Sequence, residues 1–504
     1  MRKRLNDSRR LLLFSMLMSA GFLLICSKSS PLYPMNDSVD VNCFFTMGRS
    51  ILHGIVPYRD LYEQKGPVLY FMYALAALIS ETSFFGVYLL EVVTFGLFLY
   101  FSGKLAALYL GQCKTVYLIT AVLAAVIPVS RAFAHGGGAE EVSLFTLAYG
   151  LYSVLRAQRE NRLLTFGEAF LNGIFAAIVL YIKFTAMGFY IGLVLFVIFW
   201  YLSTGLHWKA LLLTAGQFLL GVAAVSALVF GYFAVFGAVD DFLTVYFYNN
   251  LFLYPNETDG SKLALIWNSL KSTMQVNPSY SWFVGLGIAV FLPDFRKNWR
   301  EAVMALLCFA GLAAGTYWGG RGYTYYGLIL APFAVFGLIA IVRLCRLVRL
   351  SQLLNKLVSG IPAISGIALW LSVAVLLAYS FHNGRNVWMM SCEKEDLPPY
   401  QFAETIRQVE DAKILNYGFL DGGFYYAAEV LPSCKAFCTL NISLPDIWTL
   451  PKACIENGEV DFVITRKYTL NRYSADSSAY TLVDEASFYF EGYEYTYYLY
   501  QKTS

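Results

Sequence analysis

The sequence predicts a polytopic α-helical membrane protein of about eleven transmembrane helices, with juxtamembrane helices on the outer face and a small C-terminal extracytoplasmic domain of α/β or α+β type. Three observations carry that reading. Of 504 residues, 58% are hydrophobic and only 14% charged, with a mean hydropathy of +0.54, a balance that soluble domains rarely reach. Apolar runs near the ~20 residues needed to cross a bilayer recur along most of the chain. After the last run the composition turns polar for roughly 120 residues, enough for one small domain, so the expected division is 1–381 and 382–504. The net charge of +3 singles out no partner: in such a chain Lys and Arg act by position, and no nucleic acid is expected.

The elements follow in order. "MRKRLNDSRR" precedes "LLLFSMLMSAGFLLICS", a pattern shared with secretory signals. No small-residue cleavage site is obvious and the apolar run is long for a signal, so it is read as a first span with its N-terminus in the cytoplasm. Further spans are expected near 84–103, 115–131, 141–156, 168–183, 187–203, 210–236, 279–293, 301–317, 326–342 and 360–381. The basic connectors "GKLAALYLGQCK", "RAQRENR", "HWK", "DFRKNWR" and "RLCRLVRLSQLLNK" then all fall on the cytoplasmic side, as the positive-inside rule requires. Residues 67–80, "PVLYFMYALAALIS", break the alternation. A crossing there would turn every later basic loop outward, so a short helix in the outer interface, or one that re-enters without crossing, is expected.

In the tail, "KILNYGF", "DFVITRKY" and "YEYTYYLYQ" read as strands and "QFAETIRQVEDA" as a helix, by their alternation and helical spacing. Parity of the crossings puts this domain outside the cell membrane. Of nine cysteines, Cys26, Cys43, Cys113, Cys308 and Cys345 lie in or beside the membrane region, where a thiol usually packs as a small hydrophobe. The remaining four, Cys392, Cys434, Cys438 and Cys454, suit disulfides in an oxidising compartment, with three pairings open. A zinc site is the weaker alternative, because only His382 stands near them in sequence.

The polar stretch after the first span, "DSVDVNCFFTMGRSILHGIVPYRDLYEQKGP", concentrates the chemistry. Asp37 and Asp40, three apart, would share a helix face, and the following residues continue as an amphipathic helix beside the bilayer. A solvated loop with interfacial anchors explains those residues equally well. Its sequel shifts the balance. Tyr58, Arg59, Asp60, Tyr62, Glu63 and Lys65 fall within eight positions and end at a proline-led apolar helix, an arrangement suited to an amphiphilic, anionic substrate.

With Asp40, Gly54, "PYRD" at Pro57–Asp60 and "YEQKGP" at Tyr62–Pro67, the chain resembles the GT-C superfamily of integral membrane glycosyltransferases, and within it the aminoarabinose-transferase and protein O-mannosyltransferase branch and its bacterial relatives. The likeness covers the first ~200 residues well, the general layout throughout, and the tail only in placement. It implies a sugar transfer from a polyprenyl-phosphate donor to an envelope acceptor on the outer face, with inversion. The catalytic residues would be Asp40, as general base, and Asp37; the family usually carries Asp-Glu at this point, whereas here Val41 follows Asp40. Substrate contacts would come from Tyr58, Arg59, Glu63 and Lys65, and from the second outer loop "SRAFAHGGGAEEVSLF", with Arg131, His135, Glu140 and Glu141.

Lys183, between two apolar runs, is either functional or snorkelling at a turn, and the resemblance favours phosphate contact. Arg321 and Tyr325 in "GGRGYTYYGLILAP" reach the same face, where a guanidinium can fork onto phosphate and tyrosines either stack on sugar or form an aromatic belt. No resident cofactor is expected, and the need for a divalent metal stays open. The partners implied are the lipid-linked donor, a lipid, glycan or protein acceptor, and the bilayer. A transporter or flippase of lipid-linked sugars is the competing class; internal repeats or helices broken at the midplane would favour it, and neither is clear.

Overall fold

The computed structural model describes residues 2–205, 208–253, 261–292, 295–347, 362–442, 444–473, 478–490 and 493–503. Part of the connectors "HWK", "DFRKNWR" and "RLCRLVRLSQLLNK" lies outside them. In chain order the helices are α1 (Arg2–Cys26), α2 (Val39–Leu52), α3 (Pro67–Ala77), α4 (Phe85–Leu110), α5 (Lys114–Val126), α6 (Leu144–Arg159), α7 (Phe166–Lys183), α8 (Gly188–Ser203) and α9 (Trp208–Val235). A short turn, Val239–Phe242, runs into a π-helix, Leu243–Leu253. Then come α10 (Lys262–Val276), α11 (Pro278–Leu286), α12 (Phe295–Tyr317), α13 (Ala334–Leu347) and α14 (Pro362–Asn383). The tail adds α15 (Pro398–Ile406), α16 (Phe424–Ala428) and α17 (Asp446–Glu456).

Each span expected from the sequence overlaps a described helix, with 279–293 falling on α11 and a 3₁₀ turn, Gly287–Val290, and 326–342 on a 3₁₀ stretch, Thr324–Phe333, and α13. Six described helical stretches are long and apolar enough to cross a membrane: Asn6–Cys26, Phe85–Leu110, Phe166–Ser203, Trp208–Val235, Thr324–Arg346 and Gly366–Asn383. The 38 residues of Phe166–Ser203 are two expected spans, since one straight helix of that length would extend ~57 Å. The chain breaks between them: Lys183 has φ −154° and ψ 92°, and a 3₁₀ turn, Phe184–Met187, precedes α8. Helix α3 has only 11 residues, about 16 Å, and with α5 it is one of two described apolar helices shorter than the ~30 Å hydrocarbon core. The helical segments Val239–Phe242, Leu243–Leu253 and Lys262–Val276 were not anticipated. Their apolar residues are interleaved with Asn, Asp and Lys, which masks the helical period.

Two compact units divide the chain. The first comprises Met1–Ser27, Leu90–Leu228 and Asn256–Val387, the second Lys28–Leu89, Val229–Pro255 and Trp388–Ser504. In the first, helices that are apolar on every side pack through small residues. A Cβ on Gly188 or Gly192 of α8 would strike the backbone of α12 at Gly311 and Leu307, so these helices approach backbone to backbone, the close packing that replaces the hydrophobic effect in lipid.

The second unit holds a four-stranded mixed sheet in the order β1-β2-β4-β3. Strand β1 (Ile414–Tyr417) runs parallel to β2 (Phe462–Arg466), with Ile414 opposite Phe462. Strand β4 (Tyr493–Lys502) is antiparallel to both β2 and β3 (Tyr480–Phe490). Helix α17 lies within the β1-to-β2 connection, as a parallel pair demands, and Ile455 joins Leu415, Val463 and Tyr500 in the buried core. Three strands sit where the sequence put them, while α15 begins earlier than the expected helix, 401–412, and covers only its first half. Strand β3 escaped notice because Asp484 and Glu485 interrupt its alternation, where the pairing slips between Leu482 and Asp484.

Candidate functional site

In the second unit the polar loop folds into two braced pieces. Asn36 Oδ1 accepts from Ser38 N at 3.0 Å, and Ser38 Oγ caps α2 by accepting from Val41 N at 3.4 Å. Asn42 Nδ2 returns to the Asn36 and Ser38 carbonyls, both at 2.8 Å. This cap sets Asp40 in the first helical turn, where backbone N–H groups favour a carboxylate. No hydrogen bond or ion pair among the described residues holds the Asp40 carboxylate. Asp37 differs: Lys28 Nζ lies 2.7 Å from both its oxygens, and that lysine is only 3% exposed.

The second piece is the turn after α2. Tyr58, at φ +70°, is wholly buried, and its hydroxyl donates to the Lys65 carbonyl at 2.6 Å. Arg59 forks onto Asp60 at 2.8 Å and reaches the Phe236 carbonyl at 2.8 Å, and its charge holds the Asp60 carboxyl below the usual range. The turn thus spends Tyr58 and Arg59 on bracing itself. What it presents is Glu63 and Lys65. Glu63, 3% exposed, accepts from the Tyr70 hydroxyl and from Lys65 N at 2.7 Å. Burial pushes its carboxyl upward, the Lys65 charge opposes that, and the Asp40 charge adds to it. Lys65 stands 5.6 Å over the Phe44 ring. Glu63 therefore lies close enough to feel the charges of both Asp40 and Lys65.

Residues that sequence reasoning missed hold this floor in place. Asn249 donates to the Tyr62 hydroxyl at 2.9 Å and Asn250 to the Gln64 carbonyl at 2.8 Å, both from the π-helix; paired Asn in an apolar run was the available signal. From the tail, buried Asp421 accepts from Thr46 Oγ1 at 2.7 Å, Gly423 N at 2.8 Å and Asn416 Nδ2 at 3.2 Å. Arg49, also on α2, donates to the Tyr425 carbonyl at 3.2 Å.

In the first unit the other predicted residues form two groups. Glu140 and Lys183 make a buried ion pair, and the Lys183 ammonium sits 3.4 Å from the Tyr326 ring centre and 5.6 Å from that of Tyr325. Tyr325 stacks on Tyr323 at 5.6 Å, and Arg321 donates to the Tyr323 hydroxyl at 3.2 Å. Glu141 belongs elsewhere: fully buried, it accepts from Gly137 N at 2.8 Å and faces Glu91. Ser27 Oγ donates to both Glu91 oxygens, at 2.9 and 2.8 Å. Gly136, at φ +86°, packs so close to Ser27 and Glu91 that no Cβ would fit, which gives the glycine run a packing reason. Arg131 is exposed and His135 half-buried. Among the described residues no group of three His, Cys, Asp or Glu side chains could hold a metal ion.

No family model matches the chain, and no curated protein is similar to it in sequence. Solved structures are similar in fold. The crystal structure of ArnT from Cupriavidus metallidurans in the apo state aligns at a TM-score of 0.61 with 14% identity, covering 97% of each chain. The fold is that of ArnT. The same protein bound to undecaprenyl phosphate aligns at 0.58 with 14% identity, over 96% of this chain and 97% of ArnT. The kinship in fold inferred from the loop motif is thus established over nearly the whole chain, and with its apolar helices this is a multi-pass membrane protein carrying a small sheet in its tail, as ArnT-like architecture implies. ArnT shares too little sequence to transfer roles residue by residue, so the geometry above must supply them.

The Asp421 tether makes a pH prediction. Burial raises this carboxyl from 3.8 to about 6, against the opposing bonds from Thr46 and Gly423 and the Arg49 charge. An acid whose folded pKa is raised keeps its proton in the folded state between pH 4 and 6 while the unfolded chain loses it. Its contribution to stability therefore falls as pH rises through that window, by on the order of 3 kcal/mol. Relative to Asp421→Asn, which cannot titrate, the wild-type thermal midpoint should drop between pH 4 and 7. A constant difference between the two proteins would show Asp421 ionised throughout.

Proposed function

We propose that this protein is an inverting glycosyltransferase that moves a hexose or pentose from a polyprenyl-phosphate donor to an envelope acceptor on the outer face of the membrane. The supporting observation is the state of Asp40: near the buried Glu63 carboxyl, which also feels Lys65, in a chain with the ArnT fold, it is the loop carboxylate not committed to a structural partner among the described residues. Asp40 takes the proton from the acceptor hydroxyl as the oxygen attacks the anomeric carbon, and the carbon–phosphate oxygen bond breaks, the electron pair leaving with the lipid phosphate. Lys65 offsets the charge that gathers on that phosphate. Glu63, held by Tyr70 and the Lys65 amide, orients the lysine and keeps a second carboxyl out of water beside the base. Asp37, already neutralised by Lys28, supports the helix start rather than the chemistry. Lys183, Arg321 and Tyr325, with Glu140, Arg131, His135 and Glu141, stand as proposed donor contacts or their supports.

That one of the ArnT structures holds undecaprenyl phosphate favours a long-chain polyprenyl phosphate as the lipid of the donor. The test is transfer itself. Purified protein in lipid nanodiscs, given radiolabelled polyprenyl-phosphate sugars and an envelope extract, should pass label to an acceptor with an inverted anomeric configuration. Label that stays on the lipid while the lipid changes leaflet in proteoliposomes would mark a flippase instead.

A further inference from the structure

We infer that Cys43 and Cys438 are joined by a disulfide in the mature protein, fixing the helix that carries Asp40 to the C-terminal tail. The two sulfurs lie 3.7 Å apart, in contact, though the residues are 395 positions apart in the chain. Both side chains are 1% exposed. A bond requires the sulfurs to approach by about 1.7 Å, to the ~2.0 Å of a disulfide. The backbone on each side is already pinned. Next to Cys43, Thr46 bonds to Asp421, and Arg49 to the Tyr425 carbonyl. Next to Cys438, Thr439 N donates to the Phe419 carbonyl at 2.9 Å, and the Lys435 carbonyl accepts from Tyr62 N at 2.8 Å. The thiols therefore meet because two hydrogen-bonded frameworks deliver them, and a covalent link costs little further ordering.

The sequence had set Cys43 apart as a membrane-side hydrophobe and sought partners for Cys438 within the tail; there, Cys434 takes Cys454 as its hydrogen-bonded neighbour instead. The chemistry is thiol–disulfide exchange: a protein disulfide oxidant of the outer compartment is attacked by one thiolate, the mixed disulfide is resolved by the second, and the oxidant leaves as a dithiol carrying both electrons. Burial and the neighbouring Asp421 and Glu63 charges push the Cys43 thiol upward, so exchange belongs to assembly, before the site closes, and the finished bond is shielded from reductants.

The inference rests on the outward placement proposed above, and the experiment separates the two. Protein from membranes quenched with acid is alkylated in denaturant without reductant, digested and mass-mapped, while a cysteine placed at exposed Arg131 in intact cells is probed with an impermeant thiol reagent. The expected result is a peptide pair linking Cys43 to Cys438, its loss in Cys43→Ser together with one newly alkylated thiol at Cys438, and labelling at position 131. Alkylation of both thiols with position 131 labelled from outside overturns the bond alone. Alkylation of both with position 131 protected overturns the outward placement, and the bond with it. A link from Cys438 to Cys434 or Cys454 also overturns it.

Discussion

Asp40→Asn leaves the protein folded and lowers sugar transfer by ~10²- to 10⁴-fold, the usual cost of removing a general base. The substitution keeps shape and polarity in the first turn of α2, and no described partner loses a bond. Donor binding should persist, so the loss falls on kcat rather than on KM. Asp37→Asn behaves differently. It strands Lys28, 3% exposed, and acts through stability, lowering the thermal midpoint while leaving the turnover of folded protein near the parent value. Lys65→Ala should lower kcat, since the charge gathering on the departing phosphate loses its counter-charge, and raise the KM for donor as well. If Asp40→Asn folds, binds donor and transfers at the parent rate, the base is another carboxyl, with Asp37 and Glu141 next to be tried.

The second large effect concerns Lys183. Its pair with Glu140 is almost closed to solvent, with side chains 12% and 5% exposed, and deleting one member of such a pair leaves a buried charge uncompensated, at a cost of about 3–5 kcal/mol. Lys183→Met should therefore lower the thermal midpoint in detergent by several degrees. Adding Glu140→Gln removes the stranded charge and should recover most of that loss, a coupling that the double-mutant cycle measures directly. The double variant then isolates function. A raised donor KM in stable protein assigns the lysine to phosphate binding, whereas a parent-like KM leaves it as the counter-ion of Glu140 and nothing more.

The helical layout was legible because membrane spans are written as long apolar runs. The motif that brought Asp40, Glu63 and Lys65 to attention is local, so its members stayed together when folded. Roles within it were less legible. Tyr58 and Arg59 looked like ligand contacts, yet the turn uses Tyr58 to hold the Lys65 carbonyl and Arg59 to hold Asp60. Sequence spacing shows which side chains are near and not which are already spent. Glu140 and Glu141 were both read as substrate contacts of the second outer loop, but adjacent residues at a helix start point apart, one to Lys183 and the other to Gly137 and Glu91. Asp421, Asn249 and Cys438 could not be tied to the loop at all, because their contacts bridge hundreds of residues and no local pattern records a distant partner.

The order in which the second unit is made differs from the order in which it is assembled. Thr46 and Asp421 are 375 residues apart, and at ~5–20 residues per second a ribosome needs about 20–75 s to travel between them. Throughout that interval α2 stands without the carboxylate, the Tyr425 carbonyl and the thiol that later fix it. A nascent chain thus carries Asp40, the proposed base, on a helix held by its early neighbours alone, such as the Tyr73 backbone against Gly48 and Glu81 beside Arg49. In the proposed mechanism the helix that carries the base is therefore fully braced only after residues as distant as Asp421 and Tyr425 have been made and have docked on it.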